Sequence, residues 1–348
     1  MKAAVLYAKD DIRIEEIEVP ELKPNEVLVK VKATGICGSD LPRVLGNAAH
    51  YYPIVLGHEF SGVVEKVGTD VSKVKEGDRI AGAPLLPCHE CPNCLRGDYA
   101  LCNNYSFIGS RVNGSWAEYV KLPERNAVKV PDNISFEEAA LFEPSSVALH
   151  ALKLIGFAGG ENVAILGGGN IGLLTLQWAK ILGAQFITVF DLDNERLETA
   201  QQLGADFTIN TTSPDFREAV NEITGGKGFE VVMETAGSTT TMKMSFELAG
   251  KKAKICFVGT PTQNITFPFR LFEQMNRKEF TLTGSWMSYS APFPGREWEL
   301  TSHFVEKKQL NLKDIVYRSM PLEEIQQVFE WYKSPGTVKG KILLIPPE

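Results

Sequence analysis

Four of the six cysteines in this 348-residue chain fall in one short run, "CHECPNCLRGDYALC". Cys88, Cys91, Cys94 and Cys102 follow the spacing C-x2-C-x2-C-x7-C. Thiolates this close together suit a closed, tetrahedral zinc site. The ferredoxin iron–sulfur run has a three-residue last gap followed by proline, and the seven-residue gap here departs from it. A nucleic-acid finger would need basic residues, but Arg96 stands against Glu90 and Asp98. A disulfide knot would need an oxidising compartment, and nothing at the amino terminus points to export.

A second constellation lies upstream. "GICGSD" supplies Cys37 and "GHEF" supplies His58 and Glu59. Taken singly, a cysteine is usually a small buried apolar residue. Two potential ligands in glycine-flanked turns of one β-rich region suit a catalytic zinc, which keeps three protein ligands and one open position. The third ligand must be Cys, His or a carboxylate. Cys256 lies in the apolar run "AKICFVG" and reads as core. Glu143, an acid within "LFEPSSVALHA", is the better candidate. Ser39 could relay a proton through its hydroxyl or simply satisfy the turn. Asp40 could orient His58 by a hydrogen bond or cap nearby amides.

The third motif is Gly167-Gly-Gly-Asn-Ile-Gly172, a G-x-G-x-x-G loop. It lies between the strand-like "NVAILG" and the helix-like "NIGLLTLQWAKILGA", and Asp191 ends the next strand-like run. That context is the one a dinucleotide loop requires, with the pyrophosphate resting on a helix N-terminus. A carboxylate at Asp191 accepts from ribose hydroxyls and repels a 2′-phosphate, which favours NAD over NADP. Arg196 complicates that preference, because it could pair with a 2′-phosphate; otherwise it flanks the adenosine or is solvated.

Two kinds of element must hold these motifs. Residues 1–150 carry short β-like runs, such as "EVLVKVKATGI" and "SGVVEKVG", separated by turn formers, as in a partly closed β unit. From about residue 160 strands and helices alternate, which predicts βαβ units and a parallel sheet. Helices are expected in "NERLETAQQLGA", "FREAVNEITGG", "REWELTSHFVEKKQ" and "PLEEIQQVFEWYKS". The closing "GKILLIP" reads as a strand returning to the first half. The fold class is therefore α/β, with a β-rich catalytic domain and a doubly wound parallel-sheet domain.

Bulk properties narrow the function. A formal charge of −7 and a pI near 5.5 disfavour nonspecific binding to nucleic acid or to an anionic membrane. No spanning helix is expected, and the chain reads as cytoplasmic.

Together "GICGSD", "GHEFSGVVEKVG", "GDRIAGAPLLPCHECPNC", the Glu143 segment and "GGGNIG" make the chain resemble the zinc-dependent medium-chain alcohol and polyol dehydrogenases along its whole length. The resemblance implies a GroES-like catalytic domain over residues 1–150, completed by 290–348, and a Rossmann NAD-binding domain over 151–289. It implies two zinc ions per subunit, a homodimer or homotetramer, and a small-molecule substrate. The catalytic zinc would be held by Cys37, His58 and Glu143, with Glu59 as an alternative or exchanging ligand, and the structural zinc by the four-cysteine loop. Gly167, Gly169, Asn170, Ile171, Gly172, Asp191, Arg196, Val258 and Gly259 would contact the cofactor. Finer likeness in "GSDLPRVLGNAAHYYPIVLGHEFSG", "FIGSRVNGSWAEYV" and "GSWMSYSAPFPGREWE" is to the polyol-phosphate branch, with substrates like galactitol 1-phosphate. Arg43 and Arg111, and less strongly Arg296, are candidates for the phosphate. His50 is a candidate for substrate or proton path, and Trp286 and Tyr289 for an apolar wall.

Overall fold

The structure, a computed structural model, describes residues 1–334 and 336–347. It divides into two compact units, Met1–Ser146 with Tyr289–Glu348, and Val147–Ser288. The α/β class expected from the sequence is the one observed.

The first unit is built on strand Glu26–Gly35, whose alternating Val27, Val29 and Val31 are fully buried. That period of two places one face on a core with Phe60, Val64, Ile80, Val120 and Leu122. Each such side chain contributes about 1.5–3 kcal/mol by leaving water. Strand Glu59–Val67 pairs antiparallel with it, Gly35 opposite Glu59. This register sets the site: Cys37 follows one strand by two residues, and His58 immediately precedes the other. The closing strand Lys341–Ile345 also pairs antiparallel with Glu26–Gly35, Leu343 opposite Gly35. The carboxyl-terminal part of the chain thus reaches the same end of the sheet, as the "GKILLIP" reading expected.

The second unit is a six-stranded parallel sheet. Its order is Phe207–Asn210, Phe186–Asp191, Asn162–Leu166, Phe229–Glu234, Ala249–Phe257 and Thr281–Gly284. Strand order reverses beside Asn162–Leu166, the place where doubly wound sheets bind ligands at their carboxyl ends. Helices Asn170–Ile181, Asn194–Gln202 and Phe216–Thr224 lie where the helical periodicity expected them. Several elements escaped the sequence reading, among them the short helices Phe269–Phe272 and Gln274–Lys278; two others show why. Helix Thr239–Leu248 begins with three threonines, β-branched residues that weaken a helical signal; Ser238 caps it by accepting from Thr241 N–H at 3.1 Å. Strand Thr281–Gly284 has only four residues and no long apolar run. Among the described residues no helix is long and apolar enough to cross a membrane.

Candidate active site

Beyond Gly35 the chain makes a tight 3-10 turn, Gly38–Asp40, and a short helix, Leu41–Val44. The turn is held by its own carboxylate, since Cys37 N–H donates to Asp40 Oδ2 at 3.1 Å. Asp40 is fully buried. Its other oxygen lies 3.6 Å from His58 Nδ1, too far for a hydrogen bond, and that buried nitrogen has no other partner. Ligand atoms of Cys37, His58 and Glu59 all lie within 4.8 Å of one another.

Glu59 is the most constrained of the three. Lys341 Nζ donates to its Oε1 and Oε2 at 2.7 and 2.6 Å, and to Ile36 O at 3.0 Å. Lys341 and Glu59 are 2 % and 1 % exposed. Burial alone would lower the Lys341 pKa, but the Glu59 and Cys37 charges outweigh it and hold the ammonium above its usual range. A side chain at Gly35 would collide with the Glu59 carboxylate, so only glycine fits there.

Glu143 stands in the first turn of helix Phe142–Leu154 and is 7 % exposed. It does not belong to the close group of three, although it feels all its charges. Burial, then Glu59 and Cys37, push its pKa up to about 8 against the pull of His58 and Lys341. The Cys37 thiol is pushed up to about 11, chiefly by burial and by Glu59. A thiol, an imidazole with an orphaned buried nitrogen and two buried carboxyls form a donor set that fits zinc.

The four-cysteine loop joins strand Leu85–Leu86 to strand Ser106–Phe107. Its sulfurs approach at 3.5 Å (Cys88–Cys102) and 3.9 Å (Cys88–Cys94 and Cys91–Cys102). Bonds of about 2.3 Å to a tetrahedral zinc imply edges of about 3.8 Å, so the loop is shaped for that ion. None of these cysteines is in a disulfide. Backbone N–H groups of Cys94 and Asn103 lower the Cys91 thiol to about 6, while burial and the neighbouring thiols push Cys94 up to about 12. Cys256 is fully buried and burial raises it to about 12, as a core residue requires.

In the second unit, Gly167 has φ +107° and a side chain at Gly172 would strike its carbonyl, so both glycines are demanded by the turn. Gly169 is different, because a Cβ there would meet open space. It leaves room for a ligand to approach the start of helix Asn170–Ile181, beside the buried, unpartnered Asn170 Oδ1. Ile171 lies in the same first turn. Asp191 accepts from Gly168 N–H at 2.7 Å and from Asp193 N–H at 2.9 Å. Each oxygen keeps a lone pair for a ribose hydroxyl. Arg196 Nη1 lies 3.9 Å from Asp191. The backbone carbonyl of Glu234 accepts from Val258 N–H at 2.8 Å and Gly259 N–H at 3.0 Å. Its carboxylate accepts from Ala236 N–H, Gly237 N–H and the Thr241 hydroxyl.

The substrate candidates divide. One Arg43 nitrogen donates to Ser39 O, Ser39 Oγ and Asp40 Oδ1 at 2.9, 3.1 and 3.1 Å. Arg111 lies 4.5 Å over the Tyr105 ring. Burial, then the charges of Arg111 and Arg43, lower the His50 pKa, so these three residues share one electropositive neighbourhood. Trp286 is 52 % exposed and belongs to the second unit. Arg296 is exposed at the start of helix Arg296–Glu306. Sequence reasoning missed Lys341 and Glu234. A lysine opening an apolar strand and an acid closing one were the only signals.

Residues 23–132 match the family described as "Alcohol dehydrogenase GroES-like domain", and residues 170–304 that described as "Zinc-binding dehydrogenase". The chain is 40% identical to galactitol 1-phosphate 5-dehydrogenase of Escherichia coli (strain K12), over 99% of this chain and 100% of that one. It is 39% identical to sorbitol dehydrogenase of Bacillus subtilis (strain 168), over 76% of each. Among solved structures, galactitol-1-phosphate dehydrogenase from Escherichia coli superposes with a TM-score of 0.95 at 39% identity, covering 99% of this chain and 100% of that one. A putative zinc-binding dehydrogenase from Sinorhizobium meliloti 1021, bound to NADP, gives 0.90 at 31% identity, covering 99% of each.

Proposed function

Since the chain belongs to the zinc-binding dehydrogenases with a GroES-like domain, oxidoreductases that include polyol dehydrogenases, we propose that it oxidises a secondary alcohol of a polyol phosphate like galactitol 1-phosphate, with NAD as hydride acceptor. The observation that carries this reading is the convergence of Cys37, His58 and Glu59 within 4.8 Å, with Glu143 buried beside them. The full-length likeness to a galactitol 1-phosphate dehydrogenase supports the substrate class.

Zinc held by Cys37, His58 and a carboxylate would supply Lewis acidity toward the substrate hydroxyl. The chain's own residues do the rest. Burial raises the pKa of Cys37 and of Glu143, and a metal held there would displace the protons that they carry. Ser39 Oγ accepts from Arg43, and its hydroxyl hydrogen-bonds the Cys37 sulfur, so this exposed side chain stands between the centre and solvent as the group to pass a proton outward. Asp40 keeps Cys37 in its turn and faces His58. Asp191 receives the ribose hydroxyls and disfavours a 2′-phosphate by like charge. Arg111 and the outer face of Arg43 form the cationic neighbourhood for the substrate phosphate, and His50, whose imidazole burial and their charges keep neutral, can hydrogen-bond it.

The test is a panel of hexitol phosphates, pentitol phosphates and free polyols, followed at 340 nm with NAD and with NADP. The expected result is the highest kcat/KM with a hexitol phosphate and NAD, and a KM that rises in Arg111→Ala more for that substrate than for a free polyol. Preference for sorbitol over every phosphate would replace the substrate with an unphosphorylated polyol. Equal use of NADP would remove the role given to Asp191.

A further inference from the structure

We propose that Phe293 is a positioning residue that ties the four-cysteine loop to the seat of the His58 imidazole, so that loading the loop with metal tunes the catalytic centre. The proposal rests on the reading of Cys37 and His58 as that centre.

The connection is continuous in the first unit. The cysteine loop is the connection of a short hairpin in which Leu85 pairs with Phe107 and Leu86 with Ser106. The Phe107 ring meets the His58 ring edge-on, 5.6 Å between centroids at 65°. The strand that closes the cysteine loop therefore builds one wall of His58. The other side of the hairpin is held by residues 289–293. Tyr289 OH accepts from Leu85 N–H at 3.0 Å, and Asn126 Nδ2 donates to Leu85 O at 2.6 Å. The Tyr289 ring, 2 % exposed, stacks on Phe293 at 5.6 Å and 8°. Phe293 in turn stands edge-on to Tyr99 at 5.2 Å and to His89 at 5.3 Å. His89 lies between Cys88 and Cys91, and Tyr99 between Cys94 and Cys102. A Cβ at Gly97 would come within 2.7 Å of Ala291 Cβ, so the loop closes directly on this segment.

This path has two physical states. With metal, four sulfurs are gathered and His89 and Tyr99 are fixed against Phe293. Without it, four free thiols have no bond to gather them, because a metal site of this kind is held by the ion itself. His89, at φ +61°, already has a backbone that needs its surroundings to hold it. Release of the loop frees Phe293, then Tyr289, and loosens the Leu85–Phe107 pair behind His58. Contiguity alone does not establish coupling, so the test measures it.

Zinc release to a chromogenic chelator is followed in wild type, Cys37→Ser, Cys94→Ser, Phe293→Ala and Phe293→Tyr, with kcat, KM and NADH affinity well below each melting temperature. Cys37→Ser identifies the phase belonging to the catalytic centre, and Cys94→Ser that of the loop. Phe293→Ala should retain both zinc ions, speed the catalytic-centre phase and lower kcat by roughly tenfold, as a small misplacement does, with NADH affinity unchanged. Phe293→Tyr should restore both values. Cys94→Ser should act in the same direction, and adding Phe293→Ala to it should cost nothing more. A normal catalytic-centre phase and kcat in Phe293→Ala, or additive effects in the double variant, would overturn the proposal. Should Cys37→Ser keep both phases, the assignment of the catalytic centre fails instead.

Discussion

The four-cysteine loop and the Cys37–His58–Glu59 centre both gather metal-binding atoms, but they are assembled in opposite ways. The loop draws four like donors from residues 88–102, one hairpin connection, and places their sulfurs 3.5–3.9 Å apart. The centre draws unlike donors from two turns and a strand start. It also has a cation 282 residues from Glu59 in sequence, Lys341, bonded to both oxygens of that acid. A site that serves only an ion can be made locally and closed. In the proposed function the second centre keeps a position open, and its extra acid is restrained by Lys341, a partner from elsewhere in the fold.

Removing one ligand from each site gives the largest contrast. His58→Ala should lower kcat by at least about a hundredfold, the upper end of what losing even an outer-shell partner costs. NADH affinity, measured by fluorescence titration, should stay near wild type because Gly167–Gly172 and Asp191 lie in the other unit. Cys94→Ser should appear first as a lower melting temperature and a missing zinc equivalent, with a smaller loss of kcat. Equal losses of kcat in the two variants would erase the distinction between a closed and an open site.

A middle-sized effect is expected at Lys341. Lys341→Met strands the Glu59 carboxylate in a buried setting and should cost about 3–5 kcal/mol in urea unfolding, whereas adding Glu59→Gln should recover most of it. If the double variant is no more stable than the single one, Lys341 is not the counter-charge of Glu59.

The smallest effect is a pH slope. Folding raises the Glu143 carboxyl from its ordinary 4.5 to about 8, mainly by burial. Between those values the folded chain binds a proton that the unfolded chain has released, so stability falls as pH rises through that window. In chelator-stripped protein the melting temperature should therefore decline from pH 5 to 8 more steeply in wild type than in Glu143→Gln. Parallel curves would mean that Glu143 does not carry a buried proton.

These contrasts follow how much could be read along the chain. The spacing of Cys88, Cys91, Cys94 and Cys102, the glycines of 167–172 and the alternation of strand and helix are local signals. Each depends on neighbours within about one turn, strand or hairpin, and a sequence displays such neighbours directly. Helix Thr239–Leu248 was lost because its first turn is threonine-rich and its stability comes from the sheet it packs on, through Met244, Phe246 and Leu248. Arg43 was expected on a substrate phosphate. Its bonds to Ser39 and Asp40 depend on the chain turning immediately after Gly35, which composition does not reveal.

The sequence by itself determined the α/β class, the two sets of candidate ligands and the glycine turn of 167–172, because spacing, periodicity and glycine placement constrain the backbone locally. Only the tertiary structure decided that Glu59 joins Cys37 and His58 in one group from which Glu143 stands apart, that Lys341 bonds both oxygens of Glu59, and that Phe107 packs on His58 while Tyr289 and Phe293 pack beside the cysteine loop. Those relations exist only after the register of Glu26–Gly35 with Glu59–Val67 and Lys341–Ile345 is set. A buried charge finds its partner across a sheet, and no local pattern records which distant strand will supply it.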